Sequence, residues 1–228
     1  MKLFNRAEPA DDRAGVFITL EGPDGAGKST QIPMIVERLR AIGFDVVSCR
    51  DPGGTPLGDR IRSLLLDRSD LSISLRAEMF LYMASRAQLV ADVIEPALKS
   101  NKVVVCDRFL LSNVVYQLCA GELDPKEIWL TGEAAVRGLY PDLTIVIDVP
   151  REIARMRVGG ARDRIEDRDE SYQSRVRIGY QNAAGGYLGG PMKYLRSIRI
   201  VQGSDDILTV NEKIMKEIED VLAKRTRS

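Results

Sequence analysis

Residues Gly22-Pro23-Asp24-Gly25-Ala26-Gly27-Lys28-Ser29 follow the pattern GxxxxGKS, with the apolar run Val16-Phe17-Ile18-Thr19-Leu20-Glu21 before them and an apolar-periodic run from about Thr30 after them. Strand, glycine loop and helix start, in that order, leave a chain few folds to choose from. The glycines let the backbone bend tightly and turn its N–H groups onto phosphate oxygens, and the helix N-terminus adds its positive end. Lys28 then supplies a mobile cation for outer phosphates, and the Ser29 hydroxyl is suited to Mg²⁺. The competing reading is a glycine turn with no ligand, and the strand-to-helix context speaks against it.

A length of 228 residues fits one α/β domain with room for a mobile segment. Residues 15–228 are predicted to form that domain and residues 1–14 a flexible, solvated tail. Lysine plus arginine and aspartate plus glutamate number 33 each, so no broad nucleic-acid surface is expected and any basic site must be local. Cys49, Cys106 and Cys119 have neither paired nor metal-like spacing, which predicts reduced core thiols and a cytoplasmic protein. No apolar run approaches the ~18 residues that span a bilayer, and no signal-peptide pattern opens the chain, so no membrane partner is expected.

Histidine is absent from the sequence. That excludes every mechanism built on a histidine base, ligand or triad. A nucleophile already ionised near neutral pH needs no such base, and a phosphate monoester, with a second pKa near ~6, is one.

After the loop, Ile32, Met34, Ile35, Leu39 and Ile42 predict a helix ending at Gly43, and Phe44–Cys49 a buried strand. The turn Arg50-Asp51-Pro52-Gly53-Gly54-Thr55-Pro56 leads into a helix carrying Ile61, Leu64 and Leu65. Residues 74–100 read as one long helix that Pro96 kinks or ends. On it Tyr82 and Arg86, four apart, share a face and could meet one ligand. Further strands are expected at Lys102–Cys106, Leu143–Val149 and Ile198–Val201, and the stripe Val210, Ile214, Ile218, Val221, Leu222 makes a closing helix. Asp107-Arg108 falls at the end of a buried strand, where a carboxylate serves metal positioning and an arginine binds phosphate bidentately. Residues 151–169 are dense in arginine and interrupted by Gly159-Gly160, which reads as a closing lid, with a solvated charged face as the alternative. No NKxD guanine-reading sequence occurs. The expected fold is a five-stranded parallel α/β sheet with helices on both faces and a short arginine-rich lid.

These blocks, taken in order from Val16 to the closing helix, resemble the thymidylate kinase family of P-loop nucleoside monophosphate kinases. The resemblance rests on FITLEGPDGAGKSTQ, RDPGGTPLG, ASRAQ, Asp107-Arg108-Phe109 with Ser112 and Tyr116-Gln117, and Asp163-Arg164-Ile165-Glu166. It implies ATP as phosphoryl donor with Mg²⁺, dTMP as acceptor and dTDP as product. Gly22, Pro23, Asp24, Gly25, Ala26, Gly27, Lys28, Ser29 and Thr30 would bind ATP phosphates, Ser29 and Asp107 the metal, and Gly203-Ser204 the adenine edge. Asp24 would meet the deoxyribose 3′-hydroxyl, and Arg50 and Arg108 would clamp the dTMP phosphate. Tyr82 stands where phenylalanine commonly stacks on thymine, and Arg86 where an arginine bonds a base carbonyl. Ser112, Tyr116 and Gln117 would complete the pocket.

The loop lacks the arginine some relatives carry there, so Lys28 and Arg108 would be joined in catalysis by a lid arginine, one of Arg155, Arg157, Arg162 and Arg164. The resemblance also implies a homodimer. The alternatives are another monophosphate or deoxynucleoside kinase, or a nucleotide-binding regulatory module without catalysis. Arg50 and Arg108 argue for a monophosphate acceptor over a nucleoside, and the missing NKxD and the acceptor-side motifs count against the regulatory module.

Overall fold

The computed structural model describes residues 14–67, 71–157, 164–165, 168–188 and 197–225. Gly159, Gly160, Arg162, Asp163 and Glu166, together with residues 1–13 of the predicted tail, lie outside the described residues.

Strands β1 (Val16–Glu21), β2 (Val46–Arg50), β3 (Val103–Asp107), β4 (Leu143–Asp148) and β5 (Ile198–Gln202) form one parallel sheet in the order β2-β3-β1-β4-β5. All six residues of β1 are buried, because helices cover both faces of the central strand. Alternation sorts them: Val16, Ile18 and Leu20 enter one core with Ile35, Leu39 and Ile214, while Phe17 enters the other with Met79, Phe109 and Val176. The first core lies under α1 (Lys28–Ala41) and the last helix, α9 (Ile207–Arg225). The second lies under α3 (Leu75–Leu89), α5 (Leu110–Asn113), α6 (Pro125–Val136) and α8 (Glu170–Ala184). The described residues also form α2 (Pro56–Leu66), α4 (Glu95–Lys99) and α7 (Arg151–Arg157), with π-helical stretches at Val90–Ile94 and Val114–Cys119.

β2 starts at Val46, two residues later than the apolar run predicts, because its parallel partner starts at Val103 and the two pair in register as far as Arg50 opposite Asp107. Ile42, read as the last apolar position of α1, lies beyond its final turn and is 57% exposed. Residues 75–99 keep one helical course through Pro96: Val90–Ile94 wind as a π-helix, and Pro96 then sits in the first turn of α4, where its missing N–H is not needed. The starts of α2, α3, α6 and α8 are capped by Thr55, Ser74, Asp124 and Asp169.

The chain leaves β1 through Gly22, whose φ of +136° no L side chain adopts without strain. A Cβ there would also stand 2.5 Å from the Ile147 carbonyl oxygen of β4. Gly22→Ala should therefore lower the thermal unfolding midpoint by at least about 4 °C, an effect read by calorimetry in the absence of ligand.

Candidate active site

Gly27 begins α1 in the left-handed conformation (φ +100°) with no side chain capping the helix, so the first N–H groups are left to an outside acceptor. They open onto a cleft lined by Gly25, Ala26, Gly27, Lys28, Ser29 and Thr30. Lys28 folds back over the loop, its Nζ donating to the carbonyls of Gly22 and Pro23, each at 3.0 Å. Burial and the neighbouring Arg108 guanidinium push its ammonium down to about 8, against the pull of Asp24, Asp107 and Glu21. Gly22 and Pro23 thus serve the loop through carbonyls that hold Lys28. Asp107, at the end of β3, lines the same cleft as Ser29, and its Oδ1 is buried with no hydrogen-bond partner. An orphaned carboxylate oxygen beside a hydroxyl fits a hard divalent cation such as Mg²⁺.

Arg108 follows at φ +66°, a strained conformation for a non-glycine residue. Its Nη1 donates to Gly22 O (2.9 Å), Tyr180 Oη (3.0 Å) and Ser112 Oγ (3.3 Å), while Nη2 pairs closely with Asp24. Tyr116 stacks its ring 5.3 Å from the guanidinium carbon and donates its hydroxyl to Asp24 Oδ2 at 3.3 Å. Burial would raise the Asp24 carboxyl, but Arg108 and Lys28 outweigh it and hold the group below the usual carboxylate range. Behind Arg108 lies Glu21, fully buried and accepting from Phe109 N (2.8 Å), Ser112 Oγ (2.6 Å) and Tyr180 Oη (3.2 Å). Burial pushes Glu21 up to about 7 even though the Ser112 and Phe109 bonds and the charges of Arg108 and Lys28 oppose it.

A second, smaller cavity is lined by Tyr82, Arg86, Asn113, Tyr116, Gln117 and Ile165 among others. Arg86 is buried, its Nε 2.6 Å from Asp51 Oδ2, one Nη on the Phe109 carbonyl (3.1 Å) and the other on Met83 sulfur (3.2 Å). Three of its five N–H donors are so engaged, and two are left for a ligand. Asp24, Asp51, Arg62 and Arg108 line both cavities, so the two meet along this shared wall.

The sequence-predicted residues divide accordingly. Tyr82, Arg86, Ser112, Tyr116 and Gln117 gather at the smaller cavity, Asp24 and Arg108 at the shared wall, and the loop residues Gly25 to Thr30 with Asp107 and Gly203 at the cleft. Arg50 also lines the cleft, away from Tyr82 and Arg86, with its Nη2 3.1 Å from Asp59. Ser204 is exposed and does not line the cleft. Of the lid arginines, Arg157 lines the cleft, donating to Gly203 O at 2.9 Å. Arg155, two residues earlier and so on the far side of α7, pairs with Glu170 at 3.5 Å. Arg164 is drawn away by the buried Glu78 (2.6 Å) and the Leu65 carbonyl (2.9 Å). Neither of these two arginines reaches the loop.

Sequence reasoning missed Glu21, Arg62, Glu78, Asn113 and Tyr180. Only Glu21 carried a signal, as a carboxylate closing an otherwise uncharged, mostly apolar central strand.

A phosphate loop opening onto one cavity that shares a wall with a second is what a P-loop phosphotransferase needs to bring a nucleotide donor to a small acceptor. The class follows from that geometry. A family profile described as thymidylate kinase matches residues 20–188, and the chain belongs to that family. It is 38% identical over 209 residues to the thymidylate kinase of Caldanaerobacter subterraneus subsp. tengcongensis, covering 91% of this chain and 97% of that one. With the thymidylate kinase of Rhodopirellula baltica it shares 47% identity over 163 residues, 72% of this chain and 66% of the relative. The crystal structure of thymidylate kinase from Ehrlichia chaffeensis superposes with a TM-score of 0.71 at 29% identity, over 90% of this chain and 98% of that one. Among the described residues no helix is long and apolar enough to cross a membrane.

The lowered Lys28 makes a pH prediction. Above about pH 8 part of the free protein carries a neutral Lys28, and an anionic ligand favours the charged form and raises its pKa. ATP binding between pH 8 and 9 should therefore take up protons, measured as a buffer-dependent calorimetric enthalpy. The uptake should vanish in Lys28→Met.

Proposed function

We propose that the chain transfers the γ-phosphoryl group of ATP to the phosphate of dTMP, giving dTDP. The observation that carries this reading is the wall shared by the phosphate-loop cleft and the aromatic cavity, where Arg108 and Asp24 stand between donor and acceptor. In the smaller cavity Tyr82 stacks on the pyrimidine, and the two remaining N–H donors of Arg86 meet a base carbonyl. Ser112, Tyr116 and Gln117 enclose sugar and base. Asp24 accepts from the 3′-hydroxyl. Arg108 exchanges its present acceptors for oxygens of the dTMP phosphate, and Arg50 closes on that phosphate from the cleft side.

The attacking oxygen belongs to an ionised phosphate, so no general base is required, in keeping with a chain that has no histidine. The protein's task is to align two anions and neutralise the charge that gathers between them. Lys28, the loop N–H groups and Arg157 do this on the donor side, and Arg108 on the acceptor side. Ser29 and Asp107 would hold Mg²⁺, which when bound neutralises charge between the β- and γ-phosphates.

A homodimer fits three helices that pack side by side, α2 on α3 and α3 on α6, with apolar outer positions Leu57, Leu64, Phe80 and Leu130 each about half exposed. Light scattering should give about twice the 25.3 kDa chain mass, and Phe80→Glu should return the monomer.

The direct test is ADP release coupled to a reporter, with and without each of several monophosphates. dTMP should drive turnover, and release that is independent of any acceptor would refute the assignment. Arg157→Ala should lower kcat at least ~10²-fold with dTMP affinity little changed, because its contact tightens in the transition state, while Arg155→Ala stays near wild type. Tyr82→Ala should weaken dTMP binding by ~1–3 kcal/mol in calorimetry, the scale of base stacking on an aromatic ring.

A further inference from the structure

Glu78 lies on α3, outside the cavities, and is fully buried. Its Oε2 accepts from Arg164 (2.6 Å) and Arg168 (2.7 Å), and its Oε1 accepts from Gln117 Nε2 at 2.9 Å. Gln117 in turn presents its Oε1 to Asn113 Nδ2 at 2.9 Å, and both amides are 1% exposed. Asn113 lines the smaller cavity, and its remaining polar atom, Oδ1, is buried with no partner.

A chain of amides can run in either direction, since each group has a donor end and an acceptor end. This one is terminated by a carboxylate salt-bridged to two guanidinium groups, which can only accept. Gln117 must turn its NH₂ toward Glu78 and its oxygen toward Asn113. Asn113 must then turn its NH₂ toward Gln117, which leaves Oδ1, its unpartnered atom, as the acceptor for a ligand.

We infer that Glu78 is a positioning residue that sets the base selectivity of the pocket from a distance, by fixing Asn113 as an acceptor through Gln117. The inference rests on the smaller cavity being the pyrimidine site. Thymine and uracil carry N3–H, a donor, and satisfy Asn113 Oδ1. Cytosine has a bare N3 lone pair and leaves two acceptors facing each other, at the cost of a buried unsatisfied polar group. Glu78 therefore favours thymine and uracil over cytosine without touching any of them.

Glu78→Gln tests the direction of the chain. The two arginines demand the amide oxygen of the new glutamine, so its NH₂ faces Gln117, Gln117 turns over, and Asn113 presents Nδ2 to the ligand. Gln117→Leu cuts the chain while leaving Glu78 on both arginines, and it decides the matter if the first variant does not fold. Steady-state kinetics with dTMP, dUMP and dCMP at saturating ATP supply the readout. In both variants the dTMP-to-dCMP ratio of kcat/KM should fall at least about tenfold, chiefly through the KM for dTMP, while the dTMP-to-dUMP ratio stays at its wild-type value because both bases carry N3–H. Arg86 still favours a carbonyl at the opposite edge, so the preference narrows and does not reverse. A folded Gln117→Leu variant that loses dTMP and dCMP activity in equal proportion overturns the inference, since a residue that merely supports the fold would behave so. If instead the pyrimidine lies elsewhere, Gln117→Leu and Tyr82→Ala will both leave every KM at its wild-type value, which separates failure of the pocket from failure of the chain.

Discussion

The Arg108 guanidinium is the joint on which this site turns. It follows the end of β3 at a strained backbone angle and donates to the Gly22 carbonyl of the phosphate loop, to Ser112 of α5 and to Tyr180 of α8, with Asp24 as its counter-charge. Three elements far apart in sequence thus share one cation. A cation set this deep requires acceptors on every side, because an unpartnered buried charge costs several kcal/mol. Glu21 supplies the second layer: by accepting from the Ser112 and Tyr180 hydroxyls it turns their lone pairs toward Arg108. The central strand therefore ends in a carboxylate because the next layer out is an arginine.

The same arrangement recurs away from Arg108. Asp51 and Arg86, both almost fully buried, pair at 2.6 Å on the floor of the smaller cavity. Burial alone would push the Asp51 carboxyl up, and Arg86 works against that shift. Such a pair adds little net stability compared with apolar packing, yet it fixes which atoms of Arg86 remain available. A lysine could not substitute there, since a point charge would be consumed by the carboxylate, whereas the guanidinium fork bonds Asp51 and Phe109 and still retains donors.

The sheet was legible because buried strands leave continuous apolar runs, and the phosphate loop because its chemistry depends on residues adjacent in sequence. Asp107 and Arg108 were legible by position, at the carboxyl end of a strand. The lid arginines were not. Whether Arg155 or Arg157 faces the cleft depends on the rotation of α7, which is set by packing and not by the local charge pattern. Glu78 reads in the sequence as an acidic residue in the first turn of a helix, a place usually solvated. Its arginine partners lie 86 and 90 residues away, beyond any helical spacing rule. Asn113 was hidden differently, since its meaning comes from an unpaired atom, and an unpaired atom exists only in three dimensions. Leu64 and Ile42 matched an apolar helical face yet are about half exposed, because periodicity reports a stripe without saying what covers it.

Four of the cations around the two cavities are held by groups that a ligand can replace. Lys28 rests on the Gly22 and Pro23 carbonyls, Arg108 on Asp24, Arg50 on Asp59 and Arg157 on the Gly203 carbonyl. Phosphate oxygens entering the site would exchange one set of acceptors for another, so these cations need not be stripped of water at the moment of reaction. The exchange is not equivalent at every position. Carbonyls are neutral and give way to an anion with a gain in charge pairing, whereas Asp24 and Asp59 are themselves anionic, being held below the usual carboxylate range by Arg108 and Arg50. Displacing them leaves a carboxylate that must find another donor. For Asp24 the sugar hydroxyl of the acceptor is such a donor, which ties release of Arg108 to arrival of the correct ligand. A chain without histidine can in this way regulate its charges by exchanging partners, with Lys28 as the one group here whose proton uptake accompanies the exchange at alkaline pH.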